Sequence, residues 1–207
     1  MKTEKPILMS TPMVQAILDG RKTQTRRIMK VQPDSRGTRC TNVHFEDWHG
    51  KQLKCPYGWV GDILWVRETW VMHNRSKYRF YLTYQSGDLW IKYKADGVEN
   101  YETGEKILWK PSIFMPKHVC RIKLEITDIR VEKLCDITEK DAMAEGIKEV
   151  ILSRVKYVNG DKTWTDYSSD YWFTNPIESY RTLWESINGK GSWEKNPWVW
   201  CISFKRL

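Results

Sequence analysis

The chain is 207 residues long, 41% hydrophobic and 29% charged, with 34 Lys+Arg against 26 Asp+Glu and a formal charge of +8. That length supports one domain with insertions, or at most two small ones, and the apolar fraction is too high for a disordered chain. The cationic surplus favours an anionic partner, no apolar run reaches the length of a membrane span, and 5 cysteines behind a polar start predict free thiols in a cytoplasmic setting.

Thr11-Pro12 reads as a helix N-cap followed by proline at the first helical position. Met13, Val14, Ile17 and Leu18 then share one helical face, and Gly20 supplies the stop. Beyond it come five cations (Arg21, Lys22, Arg26, Arg27 and Lys30) with no acid among them, a local field that attracts phosphate or another anion. Thr23 and Thr25 add hydroxyls to that stretch, and residues 22–28 are expected to leave the helix as extended chain. Residues 33–61 read as a long loop or insertion, punctuated by Gly37, Gly50, Pro56, Gly58 and Gly61. Cys40, His44, His49 and Cys55 lie in or near it. Their spacing is looser than a zinc finger's and lacks Cys-x-x-Cys, so unliganded side chains are expected rather than a metal centre. Residues 62–72 predict one strand in which Leu64, Val66, Glu68 and Trp70 alternate with Trp65, Arg67 and Thr69. A buried Glu68 needs a cationic partner, Arg27 being one candidate, and a structural salt bridge is the expectation.

Residues 78–84 alternate cleanly, and residues 89–94 can pair with them as a hairpin. Residues 120–134 form a long alternating segment whose phase slips near Asp128, which predicts a bulge or bend. Thr138 and Asp141 make a variant capping box for a short helix ending at Gly146. Residues 147–175 form a polar, aromatic insertion without clear period. Asn175-Pro176 starts another helix, with Ile177, Tyr180, Trp184 and Ile187 on one stripe and Gly189 after it. The last strand places Trp198, Trp200, Ile202 and Phe204 on one face. The 12 tryptophans suit a core, and also suit stacking on bases. Together these elements predict an α+β domain around a mainly antiparallel sheet or barrel.

Several stretches carry a family resemblance: Ile7-Leu8-Met9-Ser10, the run from Gly20 to Arg27, Cys55-Pro56-Tyr57-Gly58, and Trp109-Lys110-Pro111-Ser112. Residues 61–70, 134–147 and 193–204 continue it over nearly the whole length. The chain resembles the ASCH domains, which share a PUA-like β-barrel and are commonly linked to RNA, and is most similar to those of phages and prophages. The resemblance implies a single α+β domain over residues 1–207: a PUA-like, mainly antiparallel β-barrel with short helices at its ends and insertions at about 33–61 and 147–175. The usual ASCH signature is Gly-x-Lys-x-x-Glu-x-Arg. Gly20, Lys22 and Arg27 match it, while Thr25 stands where the glutamate is expected. Small bacterial ASCH enzymes that hydrolyse acetylated cytidine share that departure and place an acid after a Thr-Glu-Lys-x-Ala run. Here the run is Thr138-Glu139-Lys140-Asp141-Ala142 and the acid is Glu145. The resemblance therefore implies Lys22, Thr25 and Glu145 as catalytic residues, no cofactor, and RNA or a nucleoside or nucleotide as ligand.

Amide cleavage needs a nucleophile, a proton shuttle and a group that steadies the oxyanion. A threonine hydroxyl is inert until a base takes its proton. Lys22 can be that base if partly neutral, and neighbouring Arg21, Arg26 and Arg27 depress its pKa by repulsion. Glu145 then holds the lysine or passes a proton to the leaving amine. Alternatively the carboxylate activates a water and Thr25 positions the substrate. Residues three apart point to opposite faces of a regular strand, so Lys22 and Thr25 can cooperate only across a turn, which Gly20 permits. Arg21, Arg26, Arg27, Trp65, Arg67, Glu68 and Lys110 are the candidate substrate-binding residues, with core packing the stronger expectation for Trp65. Two other readings stand beside hydrolysis: a non-catalytic RNA or modified-base reader, and a metal-assisted ribonuclease.

Overall fold

The alternating apolar segments assemble, in the computed structural model of the chain, into a five-stranded sheet of order β1-β6-β9-β12-β2. The structure describes residues 2–33, 38–40, 45–74, 89–97, 106–151, 162–165 and 172–207. Strand β1 (Glu4–Leu8) runs parallel to β6 (Ile63–Arg67). The pairs of β6 with β9 (Lys123–Lys133), β9 with β12 (Trp198–Arg206) and β12 with β2 (Gln24–Ile28) are antiparallel. The class is α+β, as expected, but the sheet is mixed and open, and no closed barrel forms among the described residues. Alternation in sequence reports which side chains face a core; it does not report whether the first and last strands of the order meet. Here β1 and β2 are the two edge strands, with no ladder between them among the described residues; they approach only through side chains, as where Arg27 of β2 reaches Leu8 O of β1 at 2.7 Å. Helix α1 (Thr11–Leu18) follows β1 and buries Met13, Val14 and Ile17 in the core that the sheet lines.

Other expectations change in detail. The single strand predicted over 62–72 divides into β6 and β7 (Trp70–Asn74), which belong to different sheets. The break falls at Glu68 and Thr69, and Glu68 is buried there. The hairpin partner at 78–84 lies outside the described residues; β8 (Leu89–Tyr93) pairs with β7. Both insertions contain regular structure. A small sheet of β3 (Thr38–Cys40), β4 (Phe45–Asp47) and β5 (Gln52–Leu53) occupies the first, and the hairpin of β10 (Lys148–Ile151) with β11 (Lys162–Thr165) the second. The first is no mere surface loop: Phe45, Leu53 and Cys55 enter the main core, and Phe45 meets Trp59 and Trp200 edge-on at 5.6 and 5.3 Å. The phase slip near Asp128 is a bulge, since Ser203 pairs with Asp128 and Phe204 with Ile126, leaving Thr127 unpaired.

Strand β12 is covered on both faces. Trp200, Ile202 and Phe204 join Leu64, Val66, Leu124 and Ile126 under α1. Val199, on the other face, joins Leu134, Ala142, Tyr180, Leu183 and Trp184 under helices α2 (Glu139–Ala144) and α3 (Pro176–Asn188). Full burial of such side chains stabilises by about 1.5–3 kcal/mol each. The two layers meet around β2, at one edge of the sheet. No helix among the described residues is long and apolar enough to cross a membrane.

Candidate active site

Three local devices converge on that edge. Gly20 adopts φ +76°, a left-handed turn that a β-carbon would strain. The Lys22 amide donates to Ala16 O at 2.9 Å and the Thr23 amide to Ala144 O at 2.8 Å, so Lys22 lies on the turn before β2 and not in the strand. The turn that cooperation between Lys22 and Thr25 requires is therefore present. Helix α2 begins with the expected capping box, the Thr138 hydroxyl accepting from the Asp141 amide at 3.1 Å. It ends at its C-cap Glu145, just before Gly146 at φ +101°. Thr23 and Ala144 tie the two turns together, and the residues they carry meet.

Lys22 and Glu145 form a buried ion pair, with Nζ 2.7 Å from Oε2 and side chains 0% and 3% exposed. The ammonium also donates to Gln24 O at 2.8 Å and to Glu145 O at 2.9 Å. An ammonium has three protons, so these acceptors occupy all of them. On the other side of the carboxylate, Arg26 Nη1 stands 3.4 Å from Oε1 and donates to Gln24 Oε1 at 2.6 Å. Arg26 Nε reaches Glu132 at 3.1 Å, and Nη2 lies 3.4 Å from Asp141. Arg130 closes the array by bonding Asp141 at 3.1 Å. Three cations thus offset three acids. Charges this deeply buried are costly unless paired, and their clustering is a functional-site signal more than a stability device. Burial lowers the Lys22 pKa, outweighing the attraction of Glu145, and repulsion from Arg27 and Arg26 adds to it. The Asp141 pKa is lowered too, but against burial: hydrogen bonds and Arg26 overcome it and hold its carboxyl down at about 2.

A hollow of about 120 Å³ opens against this array, lined by Thr25, Arg27, Tyr57, Glu145, Tyr180 and Trp184 among others. Lys22 does not line it. The lysine therefore lies behind Glu145, an arrangement that disfavours it as a base for Thr25. Thr25 is 1% exposed, and no group among the described residues bonds its hydroxyl. Arg27 donates to Leu8 O at 2.7 Å and keeps a buried Nε–H without a partner among the described residues. The Trp184 indole N–H is unpartnered in the same sense. Tyr180 and Trp184 rings lie 6.3 Å apart at 49°, giving the hollow an aromatic wall. Its size suits one planar ring or a short acyl group, well below the ~300–1,000 Å³ of clefts for drug-sized ligands.

The remaining expected site residues are elsewhere. Arg21 bonds Gly146 O at 2.6 Å and pairs with Asp19, so it steadies the end of α2 without lining the hollow. Trp65 and Arg67 sit on β6, beside β1 in the strand order, and do not line the hollow. Arg67 lies over the Trp65 ring at 5.4 Å and bonds Ile113 O. Lys110 stands 5.2 Å from the Trp70 ring. Glu68 is 1% exposed and takes both Nε and Nη2 of Arg121 at 2.9 Å, while Arg121 also holds Asp96. The expected salt bridge is there, but its partner is Arg121, not Arg27. Of the four residues weighed as zinc ligands, His44 and the Cys40 side chain lie outside the described residues; Cys55 is in the core and His49 is exposed. Among the described residues no group of three His, Cys, Asp or Glu side chains is placed to hold a metal ion. Sequence reasoning missed Glu132, Arg130 and Tyr57. Glu132 and Arg130 carried no signal, being charged residues on an alternating strand; Tyr57 lay within the Cys-Pro-Tyr-Gly match.

No family model and no curated protein matches the chain. Among solved structures, a crystal structure of an Enterococcus faecalis V583 protein of the family-model DUF984 aligns over 100% of this chain and 81% of its own, at 10% identity and a TM-score of 0.37.

Proposed function

We propose that the protein hydrolyses the amide of an N-acylated cytosine-type base, and that it belongs with the ASCH proteins on the strength of its residue motifs. The observation that carries this reading is that Thr25 and Glu145, which the motifs single out, line one ring-sized hollow while Lys22 is locked onto the carboxylate behind it. A water on Glu145 gives its proton to the carboxylate as its oxygen adds to the acyl carbon. The oxyanion that forms meets the Thr25 hydroxyl and the Arg27 guanidinium. Collapse breaks the C–N bond, and the proton held by Glu145 goes to the departing nitrogen, releasing a carboxylic acid and the unacylated base. Lys22 is a positioning residue: its ammonium fixes Oε2 and so aims the carboxylate. Tyr57, Tyr180 and Trp184 stack the base.

The test is incubation with cytidines carrying N4-acyl groups of increasing size, following release of cytidine. Glu145→Gln should lower kcat/KM at least ~100-fold. Activity should also decline with rising pH on a limb set below the ordinary lysine range, because loss of the Lys22 proton frees Oε2. No product from any substrate at stoichiometric enzyme would end the hydrolytic reading. Tight binding without turnover would make the protein a modified-base reader. The ribonuclease reading is not favoured, because Glu132, Asp141 and Glu145 are each engaged by a guanidinium or ammonium group.

A further inference from the structure

The ring-sized hollow leaves no room for a sugar or anything beyond it. Ile28 and Asn188, on its wall, also line a second and more open hollow of about 400 Å³. The polar wall of that second hollow is Gln32, Lys133, Ser192, Lys195 and Asn196, which comprises two lysines and no carboxylate. Lys133 is held in place, its ammonium 4.8 Å from the Trp198 ring and donating to Asn196 O at 3.3 Å. Lys195 is exposed and unpaired among the described residues. The Ser192 hydroxyl oxygen is buried without a partner among the described residues, in a residue 8% exposed. The Gln32 amide, by contrast, is occupied by Met29 O, Trp198 O and the Trp198 N–H. Elsewhere around the site each deeply buried cation has an acid beside it; here the two lysines have none among the described residues that line the hollow.

We propose that this second hollow is a phosphate subsite, so that the ligand is a nucleotide, free or within an RNA strand, and not a bare nucleoside. The inference rests on the base-pocket reading above and extends it. A base seated against Tyr180 and Trp184 sends its sugar across Ile28 and Asn188, which brings a phosphate within reach of Lys133 and Lys195. Both lysines are point charges suited to a phosphate oxygen, and their contribution weakens with salt.

The experiment compares N4-acetylcytidine with its 5′-monophosphate, its 3′-monophosphate and a dinucleotide bearing the same base, on the wild-type chain and on Lys133→Ala/Lys195→Ala. Neither lysine is buried, and matched melting curves check that the double variant folds. At least one phosphorylated form should have a KM or Kd about tenfold lower than the nucleoside. That advantage should vanish in the double variant and shrink as salt is raised, while handling of the nucleoside is unchanged. Gain with the monophosphates assigns a free nucleotide; gain with the dinucleotide alone assigns a strand. In parallel, inorganic phosphate alone should shift the amide resonances of Ser192 and Asn196. If the nucleoside binds, phosphate adds nothing and those resonances stay still, the subsite is overturned and the base pocket stands. If inorganic phosphate shifts them but no cytidine binds, the subsite stands and the base-pocket reading fails.

Discussion

Exchanging Lys22 for methionine removes one member of a buried pair and leaves the other charged. Breaking such a pair costs about 3–5 kcal/mol, because the remaining ion keeps its desolvation penalty without its partner. Arg26 Nη1 remains 3.4 Å from Glu145, so the low end of that range, about 3 kcal/mol, is expected for Lys22→Met. Glu145→Gln behaves differently, since Lys22 can shed its proton. An unfolded lysine holds its proton to about pH 10.4, whereas burial makes the folded one release it earlier. Within that window the unfolded state binds more protons, so the stability of Glu145→Gln should rise with pH. The double variant Lys22→Met/Glu145→Gln buries no orphan charge from this pair and should be about 2 kcal/mol more stable than the sum of its parts predicts. Urea unfolding followed by tryptophan fluorescence at several pH values measures all four corners of the cycle. A coupling below about 0.5 kcal/mol, or a flat pH profile for Glu145→Gln, would refute the coupled pair.

Asp141, 15% exposed at its side chain, is held at about 2 against its ordinary 3.8. A depressed carboxyl stabilises above its unfolded value, and that contribution is lost as pH falls through the folded one. Asp141→Asn should therefore be about 2 kcal/mol less stable than wild type near neutrality, with the two acid-unfolding curves converging as pH approaches the folded value; a constant gap would contradict this. Gly58 sits at φ +120°, where an added β-carbon would lie 2.7 Å from Asp62 Oδ2. That carboxylate accepts the Thr3 and Trp59 amides at 2.8 and 2.9 Å, so Gly58→Ala should lower stability by about 1–3 kcal/mol in a melting experiment, and an unshifted melt would show that the turn yields freely.

How far the sequence spoke depended on the scale of the interaction. Helix caps are local chemistry, and Thr138, Asn175 and Pro176 were legible from their neighbours alone. The Asp128 slip was legible too, because a bulge leaves its trace in the alternation of a single strand. Closure of the sheet was not legible. It depends on where β1 and β2 end up, and the parallel pairing of β1 with β6 leaves no local mark. Glu68 gave a half-answer: an acid on an apolar face must find a cation, but the choice of Arg121, 53 positions away, is tertiary. The candidate site divides in the same way. The motifs named Lys22, Thr25 and Glu145, whereas the aromatic wall from α3 and the counter-ions Glu132 and Arg130 appear only once strands and helices have packed.

The outermost strand of a sheet normally invites a foreign chain to add itself there, the first step towards aggregation. Strand β2 is such a border, and one of its carbonyls, Gln24 O, is already taken by the buried Lys22 ammonium. The residue paired with Glu145 thus also occupies a carbonyl that an added strand would need. Variants lacking that ammonium would become sticky before they become unfolded, so loss of solubility and loss of activity should travel together at this position.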